Sequence, residues 1–116
     1  MLRDLAIYLA GPMTGLPDYN HQAFIDAEMD LRIAGCQSII NPVRFAPQPH
    51  WDAGDYLGRA AAVLACGAVG GLVLLPGWEQ SNGASLEREI ATRTGLAVYE
   101  LREFFAALYD ESKAPA

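Results

Sequence analysis

Two cysteines and two histidines are all the soft metal-ligating chemistry in this 116-residue chain. Cys36 and Cys66 lie thirty positions apart with no CxxC, and His21 and His50 stand alone, so neither a zinc site nor a disulfide framework is indicated. The expectation is two buried free thiols in a reducing, cytoplasmic setting, with no metal and no cofactor. Basic residues are also few. Eight Lys and Arg face fourteen Asp and Glu for a net charge of −6, so the broad positive surface of a protein that binds long nucleic acid is missing. A small anionic ligand held by local donors is still compatible with that balance. From Ala60 to Trp78 no residue is charged, but Gly67, Gly70, Gly71, Pro76 and Gly77 break the stretch. It reads as a helix end, a turn and a buried strand rather than a membrane span. Arg3 and Asp4 precede only six apolar residues, too short a run for a signal peptide. Neither GK[ST] nor GxGxxG occurs, so spacing alone does not point to ATP or a dinucleotide.

What is present is core material: 52% of residues are apolar and 19% charged, the balance of a globular chain. The length suits one domain, expected over residues 1–110 with a flexible tail at 111–116. Leu5 to Ala10 reads as a buried strand stopped by Gly11-Pro12. A helix follows, with Asn20 as its cap, Ala23, Phe24, Ala27, Leu31 and Ala34 on its apolar side, and Gly35 as its left-handed end. Asp26, Glu28, Asp30 and Arg32 form its polar face. Ser38 to Asn41 is a second strand, and Val43 to His50 a proline-containing loop. Trp51 to Cys66 is an alanine-rich helix with Asp52 or Asp55 near its start, where a negative charge suits the helix dipole. Val69 to Leu75, apolar throughout, is expected at the centre of the sheet. A loop with Trp78, a helix from Gly83 to Thr94 stopped by Gly95, a strand Leu96 to Tyr99 and an amphipathic helix Leu101 to Tyr109 complete the chain. The alternation predicts an α/β fold: a small Rossmann-like, flavodoxin-like, doubly wound parallel sheet of four to five strands with helices on both faces.

Ligands of such sheets sit beyond the carboxyl ends of the strands. That singles out the segments Gly11 to Asn20, Asn41 to His50 and Pro76 to Asn82. In the first, Gly11 at the strand end lets backbone approach a ligand closely, with Pro12, Met13 and Thr14 beside it. The third runs Ser81-Asn82-Gly83-Ala84-Ser85-Leu86-Glu87 into a helix whose free N–H groups, with Ser81 and Ser85, suit an anion or a sugar hydroxyl. Glu87 lies about one turn inside that helix, where the N-terminus is expected to help keep its carboxylate ionised and usable as a nucleophile. A solvated helix charge is the plainer alternative, and Arg88 and Glu89 read that way.

Tyr8-Leu9-Ala10-Gly11-Pro12, the pair Asn41-Pro42, and Leu75-Pro76-Gly77-Trp78-Glu79 followed by Ser81 to Glu87 resemble the nucleoside 2-deoxyribosyltransferase-like superfamily. The resemblance runs from about Tyr8 to Tyr99 and is nearest to a short branch common in phages and bacteria, related to nucleotide N-glycoside hydrolases. It implies that Glu87 attacks the anomeric carbon and releases the base, as in retaining glycosidases, and that Tyr8 orients it. It also implies that Gly11 to Gly15 line the sugar and that Asn41, Trp78, Ser81, Gly83 and Ala84 belong to the binding site. Transferases acting on free nucleosides tend to carry Asp at the position of Ser81. A hydroxyl there suits a 5′-phosphate that a carboxylate would repel, so the expected substrate is a (deoxy)nucleoside 5′-monophosphate. A homodimer or larger assembly, in which a neighbouring subunit closes the site, is a further implication.

The chain departs from that branch where the family has an aspartate early in the helix before the third strand and a Cys-Asp pair at its end. Here Arg59-Ala60-Ala61-Ala62 and Cys66-Gly67 stand instead. Asp55 or Asp52 is the candidate to protonate the leaving base, a role worth roughly 10²–10⁴-fold. A helix-start charge is the alternative for both. His50 beside Trp51 reads as an exposed loop histidine, Trp78 as a pocket cover or a packing residue, and Arg44 as a surface ion-pair residue. Two rival classes remain: a non-catalytic nucleotide-binding module that has lost its chemistry, and a protein-interaction domain using the alanine-rich helix.

Overall fold

The computed structural model describes residues 1–113. Strands β1 (Ile7–Ala10), β2 (Ile39–Ile40), β3 (Gly71–Leu74) and β4 (Ala97–Glu100) alternate with helices α1 (His21–Ile33), α2 (Ala53–Ala65), α3 (Asn82–Arg93) and α4 (Leu101–Ser112). All neighbours are parallel, in the order β2-β1-β3-β4. This is the expected Rossmann-like α/β sheet, built with four strands and with β3 inside it. No helix among the described residues is long and apolar enough to cross a membrane.

The two central strands are buried at every position because both faces of the sheet are covered. Alternate side chains feed two cores. Ile7, Leu9, Val73 and Leu75 pack with Phe24, Ala27 and Leu31 of α1 and with Phe104 and Leu108 of α4. Tyr8, Ala10, Leu72 and Leu74 pack with Ala60 and Leu64 of α2 and with Ala84 and Ala91 of α3. The register pairs Ile7 with Gly71 and Ala10 with Leu74, and a bond from Leu75 N to the Ala10 carbonyl at 2.8 Å extends the ladder by one step. Gly11 follows at once. A Cβ there would stand 2.8 Å from that of Leu75, so only glycine lets the chain leave β1 this close to the end of β3.

The segment between β1 and α1 differs from the expected capping. Asp18, Tyr19 and Asn20 all have positive φ, and Asn20 makes no side-chain cap. Its amide donates instead to the Pro12 carbonyl at 3.0 Å, tying the two ends of the loop together. The other end of α1 is as expected. Gly35 is left-handed, its N–H bonds the Arg32 carbonyl and the Cys36 N–H bonds that of Leu31, the paired bonds of a Schellman motif.

Three further expectations are corrected. Cys36 is buried but Cys66 is exposed, because α2 ends at Ala65 and leaves Cys66 in the solvent-facing cap position. Helix α4 continues through Ser112, into the expected tail, where the Glu111 carboxylate accepts from the Leu2 N–H at 2.6 and 2.9 Å. Residues 114–116 of that tail lie outside the described residues. Glu28, assigned above to the polar face of α1, is only 4% exposed.

Glu28 sits in the apolar stripe of α1 beside Phe24, Ala27 and Leu31, and its carboxylate is fully engaged. Arg44 Nε donates to Oε1 at 2.8 Å, Arg32 Nε to Oε2 at 2.9 Å and Asn41 Nδ2 to Oε1 at 3.0 Å. Burial alone would push the carboxyl up. The donors from Arg44, Arg32 and Asn41, with the charge of Arg44, outweigh it and hold the group at about 2. This cluster pins α1 to the segment after β2. Because the folded value lies below that of the unfolded chain, the stabilisation is complete above the ordinary carboxyl range and disappears as pH falls towards 2. Glu28→Gln should therefore lower stability by about 1–3 kcal/mol at pH 7. The gap from the parent should narrow as the pH is taken from 5 to 3 in urea melts, and a gap that does not change with pH would contradict this account.

Candidate active site

Glu87 lies six residues beyond Ser81, about 9 Å along the axis of α3. The spacing Ala84, Glu87, Ala91 keeps one helix face, and both alanines are buried against the sheet. Glu87 is thus turned towards the protein rather than into solvent, and only partly exposed. Across from it on the same face is Tyr8 of β1, 3% exposed, whose hydroxyl is near enough for each group to shift the other's titration. The plainer alternative, a solvated helix charge, does not fit this placement.

Burial pushes the Glu87 carboxyl up to about 7, and the hydrogen bond with Tyr8 opposes the rise. The helix start was expected to keep Glu87 ionised; desolvation is the stronger effect, and the carboxyl gives up its proton less readily than an ordinary one. Tyr8 is raised well above the ordinary phenol range by its burial and then by the charge of Glu87 and the hydrogen bond to it. The positive charge of Arg59 works the other way. The phenol therefore stays a proton donor.

The other expected residues divide, and the groove that some of them form is not lined by Tyr8, Glu87 or Ser81. Ser81 caps α3, its Oγ accepting from Ala84 N at 3.2 Å, which leaves the hydroxyl proton free to be given outward. The N–H groups of Asn82 and Gly83 have no turn of helix before them to bond to. Pro12 and Thr14 face Pro76, Gly77 and Gln80 across an open groove of ≈ 340 Å³, whose remaining walls are Leu16 and Asn20. Gly77 has φ of 86° and lies against the Pro12 ring. The groove thus opens between the loops that follow β1 and β3, the two central strands, as the rule for parallel sheets requires. Gly11 shapes the base of the first loop.

Other expected site residues have structural employment. The Asn41 side chain is buried, donating to the Phe24 carbonyl at 3.1 Å and to Glu28, and accepting from Val43 N at 3.3 Å. Met13 packs on the core shared by α1 and α4. Trp78 is held by an indole bond to Glu100 at 3.1 Å, with the Arg88 guanidinium 5.2 Å from its ring centroid. Asp55 and Asp52 form a reciprocal capping box at the exposed start of α2: Asp55 N donates to Asp52 Oδ1 at 2.9 Å and Asp52 N to Asp55 Oδ2 at 3.0 Å. Both carboxylates thus act as helix-start groups, the alternative given above. Among the described residues no three His, Cys, Asp or Glu converge as a metal site.

Arg59, to which sequence reasoning gave no role, is held among aromatic rings. Its guanidinium stands 4.4 Å from the Phe45 ring centroid, 5.1 Å from Trp51 and 5.5 Å from Tyr56. The available signal was its isolation, since no other Lys or Arg occurs between Arg44 and Arg88.

Residues 5–100 match the model of a family described as Domain of unknown function (DUF4406). The match takes in all four strands, the first three helices and both loops of the groove. No curated protein and no solved structure matches the chain.

A carboxyl whose folded value is raised favours the folded chain least when ionised, so the loss of stability grows as pH rises from about 5 through 7. Glu87→Gln, which cannot ionise, should be more stable than the parent by about 1–3 kcal/mol at pH 8. The two should converge near pH 5. Thermal melts at both pH values test this, and equal stability at pH 8 would show Glu87 to be fully solvated.

Proposed function

The chain belongs to the DUF4406 family, and we propose that it cleaves the N-glycosidic bond of (deoxy)nucleoside 5′-monophosphates, with Glu87 as nucleophile. The observation that carries this reading is the carboxyl of Glu87 on the buried face of α3, opposite the Tyr8 hydroxyl. A helix packing on a sheet gains nothing from a carboxyl there, and keeping one is costly unless it is used.

In this reading the ionised Glu87 oxygen bonds to C1′ as the bond from C1′ to the base nitrogen breaks. The bonding pair leaves with the base, which takes a proton from water. The transition state is oxocarbenium-like, and the Tyr8 hydroxyl holds the other carboxylate oxygen. Water or a second base then attacks C1′ of the glycosyl ester and frees Glu87. The groove between the β1 and β3 loops has the size of a small-molecule site. The Ser81 hydroxyl and the N–H groups of Asn82 and Gly83 supply neutral donors for a phosphate. The same reading makes the protein cytoplasmic and cofactor-independent, acting as a homodimer or larger whose neighbouring subunit closes the open side of the groove.

The second reading, a non-catalytic nucleotide-binding module, draws its support from the α2 start. Asp52 and Asp55 are bonded to each other's backbone rather than free to protonate a base.

Incubation with a panel of ribo- and deoxynucleosides and their 5′-monophosphates, with free base measured by chromatography, separates the two. The expected result is base release from monophosphates in preference to nucleosides, reduced at least about 1000-fold in Glu87→Ala. Monophosphate binding without release, unchanged in Glu87→Ala, would replace the enzyme with the binding module. In the enzyme the rate should also fall below pH 7, as Glu87 takes up its proton.

A further inference from the structure

Three consecutive residues between β1 and α1 lie in the left-handed backbone region that few residues other than glycine enter. Asp18, Tyr19 and Asn20 have φ of 49°, 51° and 61°, and Asn20 stands immediately before α1. Asp and Asn tolerate this region, whereas a bulky residue such as Tyr is strained in it. No core packing offsets that strain: the Tyr19 ring joins neither core, and the residue is 68% exposed. Every residue from Thr14 to Tyr19 is exposed. The segment is tied down at its ends and through its own backbone instead. Met13 packs on a core, Asn20 Nδ2 donates to the Pro12 carbonyl at 3.0 Å, and Tyr19 N donates to the Leu16 carbonyl at 3.0 Å.

This left-handed turn stands at the rim of the groove between the β1 and β3 loops. Leu16, which accepts from Tyr19, and Asn20, which follows it, are both walls of the groove, and Tyr19 is not. The walls carry no ionisable group. Pro12, Leu16 and Pro76 supply apolar surface, and Thr14 and Gln80 a hydroxyl and an amide. Two exposed carboxylates, Asp18 and Glu79, come shortly before Asn20 and Gln80 in the chain. Such a lining suits an uncharged ring with hydrogen-bonding edges and is a poor seat for a phosphate.

We propose that the turn at Asp18 to Asn20 is a hinge that brings the Tyr19 ring over the groove, where it stacks on the base of a bound nucleotide. The proposal rests on the nucleotide reading, which the enzyme and the binding module share, and it adds Tyr19 as the residue that grips the base. Rotation out of the left-handed region relieves strain as the ring comes to cover the base, so closure and binding favour each other. The bond between Asn20 and Pro12 holds the two ends of the loop, which confines the movement to the residues between them. Stacking accepts any base, since every base has a π face. Its edge is left to the hydroxyl of Thr14 and the amide of Gln80.

The test measures equilibrium binding to the Glu87→Ala chain, in which turnover is removed. The probes are the tightest-binding deoxynucleoside 5′-monophosphate of the panel and 2-deoxyribose 5-phosphate, which lacks a base. Adding Tyr19→Ala should raise the dissociation constant of the nucleotide at least about 5-fold and that of the sugar phosphate less than about 2-fold. Adding Tyr19→Phe, which keeps the ring, should leave both constants unchanged. Amide hydrogen exchange across residues 15–20 should slow when the nucleotide is bound and not when the sugar phosphate is bound to the same saturation. Unchanged nucleotide affinity in Tyr19→Ala, an equal loss in Tyr19→Phe, or exchange that does not slow would overturn the proposal. Absence of binding by every monophosphate, to the parent and to Glu87→Ala alike, would instead remove the nucleotide reading and the proposal with it.

Discussion

The parallel pairing of β1 with β3, from Ile7 and Gly71 to the bond between Leu75 and Ala10, is the constraint from which the rest of the molecule follows. Both strands are buried on two faces, so every side chain on them belongs to one core or the other. The pairing also decides where the chain must leave the sheet. Gly11 and Leu75 emerge side by side, too close for any Cβ on residue 11. The loops that follow touch where Gly77 lies against the Pro12 ring and part beyond it around a groove. Tyr8, three positions earlier, is fixed in the face covered by α2 and α3 by the same alternation.

Onto this rigid frame the structure places two carboxylates with opposite fates. Glu28 is more completely buried than Glu87, yet it remains acidic because two guanidinium groups and an amide reach it. Glu87 has a phenol opposite it and no ion pair, and its proton is held near neutrality. Burial as such does not decide how readily a carboxyl ionises; the number and charge of its donors do. The first locks a helix in position, and the second holds a group whose protonation state remains adjustable.

The elements themselves were legible because their signals are local. Apolar runs ended by Gly11-Pro12 and Pro76-Gly77 marked the central strands, and Gly35 and Gly95 marked helix ends through the left-handed conformation they adopt. Glu87 was singled out by its place about one turn inside the helix after the third strand and by the resemblance, and the alanines three before and four after it put it on the packed face of that helix. Glu28 shares its face with Phe24, four residues before it, and Leu31, three after it, but a charged residue in an apolar stripe reads as solvated until its partners are known. Arg44 and Asn41 are distant in sequence. Arg59 escaped for the same reason, since its ring contacts depend on how the loop after β2 folds back over α2. Trp78 offered two readings; it packs against the core under α2 and α3, and its indole bonds Glu100, one residue past the end of the strand read from the sequence.

The sheet also ends abruptly on both sides. Its β2 margin is two residues long, and the β4 margin closes at Glu100, whose side chain joins Glu103 in the cap of α4. A margin of two residues offers an incoming strand only a brief row of backbone donors and acceptors, and a carboxylate terminates the other. Parallel sheets rich in aliphatic residues are prone to edge-to-edge growth when partly unfolded, and short or charged margins limit the length of any such template. The economy of β2 is therefore a safeguard of solubility as well as a saving in chain length.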